Sequence, residues 1–69
     1  MHTSQNPAEL RSKLSAIEIE HRDLDEVISR LTSSPAQDEL LLRRLKKRKL
    51  LLKDRMALLQ RMLDPDMPA

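Results

Sequence analysis

Cysteine, glycine and all three aromatic residues, Phe, Tyr and Trp, are missing from this chain of 69 residues. Each absence removes a class of function. Without Cys there is no disulfide framework, no thiolate nucleophile and no Cys-ligated zinc site. Without Gly, the phosphate-cradling loops of dinucleotide-binding and P-loop proteins are excluded. Without aromatics, the stacking platforms that hold single-stranded nucleic acid are missing. Long apolar runs are missing too. The longest are Leu40-Leu41-Leu42, Leu50-Leu51-Leu52 and Met56-Ala57-Leu58-Leu59, far short of the roughly 18 residues a membrane-spanning helix needs. Met1-His2-Thr3-Ser4-Gln5 holds no basic stretch leading into an apolar run, so no secretory signal is expected. A soluble cytoplasmic protein with no membrane role is the expectation, and the lack of Cys fits a reducing compartment.

What is present are good helix formers: 14 Leu, 13 Lys or Arg and 11 Asp or Glu, with a formal net charge of +2. Charged residues at 35% beside 39% hydrophobic match the profile of long amphipathic helices. One small domain is the most this length allows. Chains this short build thin cores unless something staples them or they associate.

Asn6-Pro7-Ala8-Glu9 carries a helix start: a capping Asn, a proline suited to the first helical position, and a carboxylate three residues after the cap. Leu10, Leu14, Ile17, His21, Leu24, Ile28 and Leu31 then recur at alternating spacings of four and three. That is one stripe along a single helix face. It predicts a helix over 7–31, after a disordered tail over 1–6. Ser34 must leave the helix because Pro35 follows it, which makes 32–34 the turn. Ser34-Pro35-Ala36-Gln37 repeats the start signal. A second stripe follows at Leu42, Leu45, Lys49, Leu52, Met56, Leu59 and Leu63, ending at Asp64-Pro65. The second helix is predicted over 35–63, longer than the first and overhanging it, with 64–69 a disordered tail.

Two helices joined by about three residues must lie antiparallel. The predicted fold is therefore all-α, a coiled-coil-like antiparallel two-helix hairpin. A turn centred on Ser33 places Leu24 near Leu42, His21 near Leu45, Ile17 near Lys49 and Leu14 near Leu52. It also places Glu18 near Lys46, Glu20 near Arg48 and Val27 beside Leu41. The predicted first helix holds four bases and six acids, and the second nine bases and three acids. Their flanks are complementary.

The seam does not use every leucine. Leu40, Leu41, Leu50, Leu51, Leu58 and Met62, with Val27, fall beside it or off it. Burying a Leu side chain is worth roughly 1.5–3 kcal/mol, and an exposed apolar strip marks a contact surface. Val27, Leu40, Leu41, Leu51, Leu58 and Met62 are therefore the candidate interface. Its expected occupant is a second hairpin, giving a dimer or tetramer bundled from helices, with a larger protein partner as the alternative.

Groups that could carry chemistry are few. Glu18, His21 and Asp25 share a helix face, and Glu-x-x-His can ligate metal in bundles. The facing helix offers no carboxylate near Leu45, so His21 is expected to be a polar seam residue bonded to a neighbouring carboxylate and setting register. A metal ligand and a pH-sensitive contact are the alternatives. His2 has no assignable role. Arg43, Arg44, Lys46, Lys47 and Arg48 form the densest basic run, a candidate anion site for nucleic acid phosphates. The competing reading is a solvated helix face, and it is the favoured one. No nucleophile–base pair or pocket can be named, so no enzyme activity, cofactor, metal or small-molecule substrate is expected.

His21-Arg22-Asp23-Leu24-Asp25 followed by Ile28 and Leu31, and then Leu45-Lys46-Lys47-Arg48-Lys49-Leu50-Leu51-Leu52-Lys53-Asp54, resemble the YdcH-like family of small bacterial proteins. That family's pattern is H-x-x-L-D-x-x-I, a variable connector, and L-K-K-x-K-L-x-L-K-D. The resemblance covers about Leu10 to Leu63. It implies a bacterial origin and a coiled-coil-forming protein of unknown function. It assigns no catalytic or ligand role to His21, Leu24, Asp25, Leu45, Lys46, Lys47, Lys49, Leu50, Leu52, Lys53 or Asp54, the positions that match.

Overall fold

A computed structural model describes residues 6–64 of the chain. Two helices account for nearly all of them: α1, Pro7–Thr32, and α2, Glu39–Leu63. They pack against each other as a helical hairpin. No helix among the described residues is long and apolar enough to cross a membrane.

The start of α1 follows its sequence signal. The Asn6 side-chain oxygen accepts from the Ala8 amide at 2.9 Å, and Pro7 takes the first turn. At its other end, the Ser33 amide donates to the Ser29 carbonyl and the Ser34 amide to the Leu31 carbonyl. The Thr32 and Ser33 hydroxyls donate to Ile28 and Ser29. The two amide bonds satisfy carbonyls that a helix end otherwise leaves without partners.

The start of α2 differs from the expectation. It begins at Glu39, not at Pro35, and its cap is Asp38, whose carboxylate accepts from the Leu41 amide at 3.0 Å. Two physical reasons favour the later start. The Gln37 side chain, expected to close a capping box with Ser34, instead donates to the Thr32 carbonyl at 2.8 Å and seals the end of α1. An Asp cap adds a negative charge at the positive end of the helix dipole, which Ser does not. The connection is therefore Ser33 to Asp38, six residues rather than three. The helices come out at 26 and 25 residues, about 39 and 38 Å at 1.5 Å per residue, so the predicted overhang of α2 disappears. At the chain ends, Asn6 caps α1 and the Asp64 amide donates to the Gln60 carbonyl. Those two residues belong to the hairpin, while the rest of the expected tails, 1–5 and 65–69, lies outside the described residues.

The seam is a single layer. Leu10, Ile28, Leu42 and Leu52 are buried, and none of the described side chains is completely enclosed. Leu14, Ile17, His21, Leu24, Leu31, Leu45, Lys49, Met56, Leu59 and Leu63 are half-buried. A residue facing one neighbouring helix is covered on one side only, so most of the stripe keeps some contact with water.

Candidate interaction surface

Two ion pairs bridge the helices. The Arg48 guanidinium meets the Glu20 carboxylate at 2.7 Å, and the Lys49 ammonium meets the Asp25 carboxylate at 2.6 Å. The first juxtaposition is the one read from the sequence. The second is not, because Lys49 was placed opposite Ile17. The longer turn moves the hairpin's centre from Ser33 to between Pro35 and Ala36, so each α1 residue faces a part of α2 about five residues further on. Ile17 accordingly shares a hollow with Arg55, Leu58 and Leu59, and His21 shares one with Met56 and Gln60. Glu18 lines that second hollow and makes no ion pair with Lys46. Both ion pairs are largely exposed, and such pairs orient helices more than they hold them.

The two pairs lie on opposite sides of the seam, which divides the hairpin into two unlike faces. Residues seven apart fall in line on a helix. Val27 is thus in line with Glu20, and Leu41 and Arg55 are in line with Arg48. On this face Leu51 and Leu58 stand 54% and 53% exposed. They line a hollow on the flank of α2 with Arg48, Leu52, Asp54 and Arg55. The opposite face carries Lys49 and Asp25, and its hollow is bordered by Glu18, His21, Arg22 and Asp25. One side of the hairpin therefore mixes exposed leucines with Arg48, Asp54 and Arg55, and the hollow on the other side is bordered mostly by polar groups.

Of the six candidate interface residues, Val27, Leu40, Leu41, Leu51 and Leu58 are exposed. Met62 is half-buried, so it belongs partly to the seam, near the closed-up free ends of the helices. Leu40 and Leu50 stand on the outer edge of α2, each 61% exposed. Ile19, also exposed, was missed. It projects from α1 on the side away from the seam, and its position between Ile17 and His21, two residues from each, was the available signal.

His21 does not make the carboxylate hydrogen bond expected of it. Its Nε2 is buried without a partner, while the Asp25 carboxylate accepts from Lys49. The Lys49 hydrogen bond and charge hold the Asp25 carboxyl below the usual carboxylate range, against a smaller opposing effect of desolvation and with a still smaller lowering from His21. No group of three or more His, Asp or Glu among the described residues could hold a metal ion.

The basic run is split. Arg48 is engaged with Glu20, whereas Arg43, Arg44, Lys46 and Lys47 are exposed and make no ion pair among the described residues. Arg43 and Lys46 border a hollow with Gln37, Leu42 and the acidic Glu39 at the start of α2.

The model of a family described as "Protein of unknown function (DUF465)" matches residues 14–60, which takes in the turn and most of both helices. No curated protein and no solved structure matches the chain.

Proposed function

The chain belongs to the DUF465 family of proteins of unknown function, and from that premise we propose that it is a YdcH-like bacterial cytoplasmic protein, a non-catalytic structural and protein-interaction module that self-associates through its leucine-rich face. The observation carrying this reading is the set of exposed large apolar side chains, Val27, Leu41, Leu51 and Leu58, on one side of a hairpin in which Leu10, Ile28, Leu42 and Leu52 are the buried core among the described residues. Several large apolar side chains exposed on one face of a small folded protein mark a contact site. Covering it against another copy supplies the apolar burial that a single seam cannot. The pair Leu51→Glu and Leu58→Glu tests the reading by light scattering. The parent chain is expected to give a multiple of its 8.0 kDa mass and the doubly substituted chain a helical monomer. Identical masses for the two would overturn the proposal.

The exposed cations Arg43, Arg44, Lys46 and Lys47, without ion-pair partners among the described residues, favour a second reading, in which α2 contacts nucleic acid phosphates. With no aromatic residues to stack on bases, a duplex backbone is its natural target. Retention of duplex DNA that falls steeply with salt, and is lost when all four are replaced by Gln, supports it. No retention near physiological ionic strength excludes it.

A further inference from the structure

The division of charge between the helices selects how two copies pair, and we infer that the hairpins join face to face with both turns at the same end, α1 of each copy lying against α2 of the other. This rests on the self-association reading above and adds its geometry. A hairpin has one helix running up and one running down. Two such hairpins can close an all-antiparallel four-helix bundle in only two ways. With turns at opposite ends, α2 lies beside the second copy's α2 and α1 beside its α1. With turns at the same end, each α1 lies beside the other copy's α2.

The charges separate these arrangements. α1 holds four bases and six acids, and α2 nine bases and two acids. The two ion pairs within a hairpin use only Glu20, Asp25, Arg48 and Lys49. Seven bases of α2 are left without an ion pair among the described residues. Setting α2 against α2 brings two such helices to an axial distance of about 8–10 Å, within the roughly 10 Å over which salt at 0.1 M leaves charges unscreened. Setting α1 against α2 instead pairs a helix with more acids than bases with one that holds seven more bases than acids. The apolar contact is available both ways, since Leu51 and Leu58 stand exposed on the shared face in either arrangement. Charge makes the choice.

The absence of native Cys makes the test clean. Ala36 sits exposed in the turn, and Ala36→Cys carrying a nitroxide label reports the separation of the two turns by pulsed dipolar spectroscopy. Dilution with unlabelled chain identifies the intermolecular signal, and light scattering on the same sample gives the mass. The expected result is an intermolecular distance on the order of 20 Å, a few helix diameters. A distance near or beyond the helix length, about 38 Å, overturns the pairing while leaving self-association intact. A mass of 8.0 kDa with no intermolecular signal overturns both.

Discussion

Lys49 reaches across the seam to place its ammonium 2.6 Å from the Asp25 carboxylate, eight residues along α1 from the Ile17 that a tight turn at Ser33 would have set opposite it. This contact, together with Arg48 on Glu20, records the register of the hairpin. The Lys49–Asp25 pair sits on one side of the seam, and the Arg48–Glu20 pair on the other beside the exposed leucines, so the same register decides which surface is left for a partner.

The Asp25 carboxyl is held below its ordinary range by Lys49. A carboxylate whose folded value is depressed adds stability that is complete above its unfolded value, near about 3.9, and is lost as pH falls through the folded value. Thermal melts taken downward from about pH 5 should therefore steepen below about pH 4 in the parent chain. Asp25→Asn should flatten that acid limb. An unchanged limb would mean that the pair does not persist in solution.

The start of α2 is tested by its cap. Asp38→Ala removes the acceptor for the Leu41 amide and should lower stability by about 1 kcal/mol in urea denaturation. Ser34→Ala should change it by no more than a few tenths, since the Ser34 contact to Leu31 is made by the backbone amide. The reverse ranking would place the helix start at Pro35.

Core and surface leucines should separate sharply. Leu52 is 4% exposed and Leu50 is 61% exposed, although they are two residues apart. Leu52→Ala should cost about 2–5 kcal/mol, and Leu50→Ala no more than about 0.5. Equal losses in denaturant titrations would contradict the orientation of α2.

His21 gives a prediction of opposite sign. Its buried Nε2 has no hydrogen-bond partner, and a stranded polar atom of this kind is destabilising by about 1–3 kcal/mol. His21→Leu should therefore raise the urea midpoint, by an amount on the order of 1 kcal/mol. A drop in stability would show that the imidazole is satisfied in solution.

Much of this was legible in the sequence. The stripes from Leu10 to Leu31 and from Leu42 to Leu63 follow helix periodicity so closely that every residue on them is buried or half-buried. Asn6-Pro7 marked the first cap because nothing nearby competes with it. Ser34-Pro35 misled because Asp38-Glu39 offers a second start four residues later, and local capping signals do not rank themselves. The contact of Gln37 with Thr32 and the charged Asp38 cap on Leu41 show why the later one wins. That displacement carried into the register, which a sequence pattern fixes only as well as it fixes the turn. At His21 the pattern gave a seam position but not a partner, because Lys49 had to be placed before Asp25 could be assigned.

The mass of the untagged chain across a concentration series, measured by sedimentation equilibrium at physiological salt, tests the central claim most directly. Coverage of Leu41, Leu51 and Leu58 by a second copy predicts a helical species at twice 8.0 kDa or a higher multiple, dissociating only on dilution. A fully helical particle that stays at 8.0 kDa into the high micromolar range would contradict it.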